Sequence, residues 1–300
     1  MEFDVAIIGA GPAGGSAAIH CSRRGLSTIV LEEHSAIGEP VHCGECLSQY
    51  ALDNTSLAIP DSVVSKKVSG IRTVFPNNAS TVLEEEGFVL EKHLFEQWLA
   101  GEAEKNGAQI NLGSKVTKAE RTQAGWKLQV NNNQEILAKT LVDASGVQSV
   151  VSRYLNLNAR FEAVIGFQYE MEEIPQDEFM DFYIWPKLAP GGYLWMIPKS
   201  RGRANVGLVT TDKTKAKIFT DEFLKIKGWQ EKKINKSFGG LIPSSGPLPN
   251  TFDERLILVG DAAGFTSPLF EGGTHLGRKS GEYAARVLKD AFEKNDFSNW

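Results

Sequence analysis

The chain has 300 residues, 42% of them hydrophobic and 23% charged, which is the balance of an ordinary globular protein with one large or two interleaved domains. A net charge of −5 argues against nucleic acid as the main partner, and no apolar run reaches the roughly 18 residues that a membrane-spanning helix needs. Cys21, Cys43 and Cys46 make no disulfide framework and suit a reducing, cytoplasmic setting; with no basic region and cleavage site at the N-terminus, no signal peptide is expected.

The first element is an apolar strand, residues 3–8, that runs straight into Gly9-Ala10-Gly11-Pro12-Ala13-Gly14. Three glycines at this spacing serve three ends: Gly9 the tight turn, Gly11 close approach of a pyrophosphate to the backbone, Gly14 close packing of the next helix on the strand. The helix that Pro12 and Ala13 begin offers unpaired N–H groups and its positive dipole end to phosphate. A second strand, residues 27–31, ends at Glu32, 18 positions past Gly14, where a carboxylate accepts hydrogen bonds from ribose hydroxyls. Residues 83–90 read as a hairpin around Glu86-Gly87. A helix is predicted over 92–106, with Leu94, Phe95, Trp98, Leu99 and Ala103 on one face and Gly107 ending it. Short strands follow at 109–112, 116–121, 126–130 and 135–138, then a buried strand at 140–143.

From about Ala163 the strands lengthen and become rich in aromatics: 164–171, 181–185, 193–197 and 203–210, followed by a helix over 212–228. A strand at 255–259 and a helix over 273–292 return to the first pattern. The fold class read from this is α/β. A Rossmann-type dinucleotide-binding domain (1–64, 92–158 and 251–300) is interrupted by a β-rich substrate domain of antiparallel sheet plus helix (65–91 and 159–250).

Two later segments narrow the nucleotide. Val259-Gly260-Asp261-Ala262 places an acid just after a buried strand, and Val142-Asp143-Ala144-Ser145-Gly146 does much the same earlier. With the N-terminal glycines, this pair resembles the flavoprotein hydroxylase superfamily, which implies FAD as cofactor. In that superfamily the Gly-Asp acid bonds the ribityl chain or ribose, so Gly260 and Asp261 inherit that role; the plain alternative is a helix cap. Pro268-Leu269-Phe270-Glu271-Gly272-Gly273 resembles the loop that lies along the isoalloxazine, with Gly272 and Gly273 allowing the ring to approach. Ser145 stands where the superfamily usually has a second acid. Lys92 stands where relatives carry a phosphate-binding arginine; it keeps the charge without the bidentate fork.

Two stretches narrow the reaction. Gly38-Glu39-Pro40-Val41-His42-Cys43-Gly44-Glu45-Cys46 and Pro190-Gly191-Gly192-Tyr193-Leu194-Trp195-Met196-Ile197-Pro198 both resemble the geranylgeranyl reductase family, the second at every fixed position of its P-x-x-Y-x-W-x-F-P signature except Ile197. The resemblance runs over essentially the whole chain and implies saturation of isoprenoid C=C bonds, in archaeal members on membrane glycerolipids. Saturating an isolated alkene takes a hydride, which reduced FAD supplies, and a proton. The more substituted carbon then carries cationic character. Tyr193 and Trp195, two apart on one strand face, line an apolar tunnel and stabilise that carbon by cation–π contact, or else are plain sheet core. Cys43 is expected beside the flavin and substrate as a proton relay, and Pro198 beside the substrate.

Cys46 departs from the family and creates a C-x-x-C pair, whose naive readings are dithiol redox or half a zinc site, with a reversible Cys43–Cys46 disulfide that switches the enzyme off as a further alternative. With no paired spacing among His20, His34, His42, His93, His275 and Cys21, no metal is expected. Eight lysines between Lys213 and Lys236 face Asp221, Glu222 and Glu231; this is either a solvated helix face or a peripheral contact with anionic headgroups. The partners expected are a prenyl lipid and an external electron donor, NAD(P)H or ferredoxin. Relatives usually continue beyond the point reached at Trp300 into a further helical segment. The rival readings are a flavin-dependent halogenase (W-x-W-x-I-P, with Tyr193 replacing the first tryptophan), an aromatic monooxygenase, and a quinone-linked electron-transfer flavoprotein.

Overall fold

The computed structural model describes residues 2–159, 162–267 and 270–298. Pro268 and Leu269 of the expected glycine loop, and Trp300, lie outside them. The chain divides into two compact units: Met1–Glu39, His93–Glu162 and Pro243–Trp300 form the first, and Pro40–Lys92 and Ala163–Ile242 the second. Residues 40–64, read from sequence as part of the nucleotide domain, fall in the second unit.

The first unit is built on a sheet whose parallel core runs Gln109–Asn111, Thr28–Leu31, Glu2–Ile8, Gln134–Asp143, Leu256–Leu258. Val5 to Ile8 is buried throughout, as a strand covered on both faces must be. The expected strands at 135–138 and 140–143 are one strand, Gln134–Asp143: its first half pairs with Trp126–Val130 and its second with the first strand. Helices Pro12–Arg23 and Thr274–Lys294 pack backbone against backbone. A Cβ on Gly281 would lie 2.4 Å from the Ala13 carbonyl oxygen and 2.8 Å from the Ala17 nitrogen.

The second unit is an eight-stranded sheet, ordered Ile234–Pro243, Ala163–Met171, Ala204–Thr210, Tyr193–Pro198, Phe179–Tyr183, Val64–Val74, Ser80–Leu90, Cys46–Ser48. The hairpin expected around Glu86-Gly87 is instead Val64–Val74 with Ser80–Leu90. Its turn falls at Phe75-Pro76-Asn77-Asn78-Ala79, where Asn78 takes the left-handed conformation that asparagine tolerates. Gly87 lies within the strand because the Cys46–Ser48 strand approaches closely; a Cβ there would sit 3.1 Å from the Leu47 carbonyl oxygen. Alternation along the strands separates the faces. Tyr169, Met171, Leu194, Met196, Val206 and Leu208 pack with Phe223 and Leu224 of helix Ala216–Lys227. Gln168, Glu170, Tyr193, Trp195, Asn205 and Gly207 therefore belong to the opposite face.

Candidate active site

In the first unit the glycine turn requires its residue types. Gly9 has φ +96°, and a Cβ on it would lie 2.6 Å from the Ala144 carbonyl oxygen. A Cβ on Gly14 would lie 1.9 Å from the Gly9 carbonyl oxygen. Gly11 is different: among the described residues nothing stands within 4 Å of the place its Cβ would occupy, so that side is open to a ligand. Pro12 opens the helix without an N–H, and the first-turn amides after it have no intrahelical acceptor. Glu32 is drawn to this turn. Its Oε2 accepts from the Ala10 N–H (2.8 Å), and its Oε1 accepts from the His34 N–H (2.9 Å) and faces His34 Nδ1 (2.6 Å).

Gly260 (φ +58°) brings Asp261 to the same helix start: a Cβ on Gly260 would lie 2.8 Å from that of Ala13. Asp261 Oδ1 accepts from Thr266 Oγ1 (2.8 Å), and a Cβ on Gly273 would come within 2.8 Å of that oxygen. Gly273 is thus required first by Asp261. Gly272, like Gly11, has no described residue within 4 Å on its Cβ side. Asp143 has a structural role. Its buried carboxylate accepts from the Ser145 and Val151 N–H groups and closes the turn into helix Val150–Leu155. Burial pushes its pKa up against those hydrogen bonds. An open backbone turn, a helix start and two carboxylates converging on it fit a dinucleotide.

In the second unit the structure brings Cys43 and Trp195 together. Both line one cavity with His42, Phe167, Phe238 and Ile242. Gln168 joins them: its Nε2 donates to the Cys43 carbonyl oxygen (2.7 Å), and its Oε1 accepts from Trp195 Nε1 (3.0 Å). The Tyr193 ring packs edge-to-face on Phe182 (5.4 Å) and tilted against Trp195 (5.9 Å). The register puts Pro198 with Leu194 and Met196 on the helix side of the sheet, away from this wall, so the structure does not bring the expected substrate contact there.

Glu45, two residues past Cys43, has φ 73° and is buried. Its N–H donates to Cys43 Sγ (3.2 Å). Its carboxylate accepts from the Lys92 N–H (2.8 Å), Asn205 Nδ2 (2.7 Å) and Lys199 Nζ (2.6 Å). Lys199 also meets Glu91 and Glu170, each at 3.1 Å, and Arg203 bonds the same two acids. Burial would lower the Lys199 pKa, but Glu45, Glu91 and Glu170 outweigh it and raise it. Burial likewise pushes Glu91 up, yet Arg203, Ser65 and Lys199 hold it down to about 2. Lys92, expected on a phosphate, is buried at the start of helix Lys92–Lys105 with its N–H on Glu45.

Cys43 and Cys46 are free thiols. Burial, then Cys43 and Glu45, pushes the Cys46 thiol well up, which opposes the thiolate that disulfide exchange needs. Among the described residues no cluster of His, Cys, Asp and Glu could hold a metal ion. The sequence reading missed Gln168, Glu45 and Lys199; the only local signals were polar residues inside or beside apolar strands.

A parallel sheet ending in a glycine turn, interrupted by a second sheet, is the build of FAD-dependent oxidoreductases. The flavin-dependent brominase Bmp2 superposes on 100% of this chain and 81% of its own, with a TM-score of 0.84 at 18% identity, a likeness of fold alone. A geranylgeranyl bacteriochlorophyll reductase-like protein from Thermoplasma acidophilum gives a TM-score of 0.93 at 32% identity, over 99% of this chain and 80% of its own. The lycopene cyclase protein family matches residues 4–271. Digeranylgeranylglycerophospholipid reductases of Thermoplasma volcanium (35% identical, 99% of this chain and 80% of theirs) and Methanocaldococcus jannaschii (32%, 99% and 79%) match along nearly the whole chain. The chain belongs to the digeranylgeranylglycerophospholipid reductase family.

Proposed function

We propose that this protein is an FAD-dependent reductase that saturates C=C bonds in the geranylgeranyl chains of archaeal-type glycerophospholipids. The observation that carries the reading beyond family membership is the wall on which Cys43 and Trp195 are joined through Gln168. FAD would be held by Gly9, Gly11, Pro12, Ala13, Gly14 and Glu32 at the first turn, and by Gly260, Asp261, Gly272 and Gly273 at the second. When bound, it supplies the hydride.

The chain's own residues do the rest. Phe238 and Ile242, with the Trp195 ring, give the cavity its apolar lining, hostile to water. The Trp195 face, with Tyr193 beside it, stabilises positive charge on the more substituted alkene carbon, worth about 1–2 kcal/mol in a dry site. Cys43 is the proposed proton relay to the less substituted carbon of the bond, which leaves the charged, more substituted carbon to take the hydride and completes the addition of two hydrogens. The test is anaerobic. Adding digeranylgeranylglycerophospholipid to the reduced holoenzyme should restore the oxidised flavin spectrum without oxygen. A spectrum restored only by oxygen would favour a halogenase or monooxygenase. Supplying NADH, NADPH or reduced ferredoxin in turn identifies the electron donor.

Peripheral membrane contact fits helix Ala216–Lys227, which exposes Ile218 and Ile226 among Lys217 and Lys225. The charge is smaller than the sequence count implies, because Lys217 pairs with Asp221 (2.6 Å) and Lys233 with Glu172 (3.0 Å). Among the described residues no helix is long and apolar enough to cross a membrane. Ile218→Ser with Lys225→Glu should lower sedimentation with anionic vesicles severalfold, and salt should do the same to the native protein. Binding indifferent to both would remove the contact.

A further inference from the structure

Three strands place one residue each in a row: Gln168 pairs with Gly207, and Gly207 pairs with Trp195. Side chains two strands apart do not ordinarily meet, because the residue between them fills the gap. Here the middle residue has no side chain. A Cβ on Gly207 would lie 2.4 Å from the Gln168 Cβ and 2.4 Å from the Phe167 carbonyl oxygen. The Gln168 amide crosses that gap and reaches the Trp195 indole on one side and the Cys43 carbonyl on the other.

The orientation of this amide has one solution. A backbone carbonyl only accepts and an indole N–H only donates. Flipping the amide would set oxygen against oxygen and N–H against N–H. The buried Gln168 therefore locks the indole in one rotamer and ties the Cys43 backbone to it. We propose that Gln168 is a positioning residue for the reduction, holding the Trp195 ring and the Cys43 segment in one fixed relation with Gly207 as the gap that admits it. This deepens the proposed function and rests on it for the catalytic readout.

The geometry has a consequence for chemistry. A ring that stabilises a developing cation must present its face where the charge appears, and the proton must arrive at the neighbouring carbon of the same double bond. If both groups are set by one amide, losing it lowers kcat more than it raises KM. Gln168→Met keeps the length and removes both hydrogen bonds. Gln168→Glu keeps both only while the introduced carboxyl is protonated.

The test is a double-mutant cycle of Gln168→Met with Trp195→Phe, read in two ways on holoenzyme of native flavin content. The first readout is kcat and KM on the prenyl lipid, with a pH profile for Gln168→Glu. Each single change should lower kcat about tenfold, and the pair should fall little further because each breaks the same contact. Gln168→Glu should approach native kcat at low pH and lose it as the carboxyl ionises. The second readout needs no turnover: the alkylation rate of Cys43 by iodoacetamide in a Cys21→Ala, Cys46→Ala background should rise severalfold in Gln168→Met. Additive losses in kcat, or native kcat and alkylation in a folded Gln168→Met, would overturn the proposal. A native enzyme that reduces no prenyl lipid would instead overturn the functional reading, while the alkylation arm still decides whether Gln168 holds the Cys43 segment. If Gln168→Met does not fold, Gln168→Glu with its carboxyl ionised can no longer donate to the Cys43 carbonyl and must raise the alkylation rate above native at the same pH, and an unchanged rate overturns the proposal.

Discussion

Gly11→Val should yield a folded, colourless protein, and Gly14→Val should yield little folded protein at all. Gly11 sits at φ −63°, a conformation any residue adopts, and nothing stands within 4 Å of its Cβ position. A side chain there leaves the free chain undisturbed and occupies the space where a pyrophosphate would approach. The expected loss is at least about 100-fold in FAD affinity, because donors that cannot reach a phosphate leave it desolvated and unpaired. The melting temperature without FAD should stay within a few degrees of native. Gly14 is the reverse: a Cβ would lie 1.9 Å from the Gly9 carbonyl oxygen, a backbone atom with nowhere to move. Thermal denaturation with and without added FAD separates the two effects. FAD retention by Gly11→Val would show that the open turn is not where the cofactor's phosphates lie.

Lys199→Met should be among the most destabilising single changes in the second unit, by about 3–5 kcal/mol, because it leaves the buried Glu45 carboxylate without its cation and Glu91 and Glu170 with Arg203 alone. Lys199 lies 2.6 Å from Glu45 and 3.1 Å from Glu91 and Glu170. Removing both ends, in Lys199→Met with Glu45→Met, should cost less than the sum of the two singles. Urea unfolding monitored in the second unit measures each loss. The pH dependence follows from the same cluster. The Glu91 pKa falls from 4.5 to about 2 on folding, so its contribution is present above about 4.5 and is lost as pH falls toward 2. The Lys199 pKa is raised, so its contribution is present below the ordinary lysine value and is lost only as pH rises through the folded one. The native acid limb should therefore lie below pH 4.5, and Arg203→Met should shift it upward. A Lys199→Met protein as stable as native would show that the cluster contributes shape alone.

What could be read in advance was local in sequence. Gly9, Gly11, Gly14 and Glu32 follow one another through strand, turn, helix and strand, and Gly9 and Gly14 have reasons visible in their neighbours. Tyr193 and Trp195 share a face because strands alternate. What escaped was set by register. Gln168 and Trp195 are 27 residues apart and meet only because Gly207 separates them. Glu45 and Lys199 are 154 apart, and no periodicity links them. Glu86-Gly87 looked like a turn because glycine marks turns, whereas Gly87 answers to a neighbouring strand. Pro198 looked like part of the substrate wall because it closes a motif, but strand alternation turns it to the other face.

The proposed reaction adds two hydrogens across a prenyl double bond. The direct measurement is mass spectrometry of digeranylgeranylglycerophospholipid after anaerobic incubation with chemically reduced holoenzyme. Products heavier by two hydrogens for each bond saturated, absent with Gly11→Val and much reduced with Trp195→Ala, are the expected result. An unchanged lipid mass with fully reduced, FAD-loaded native protein would contradict the account.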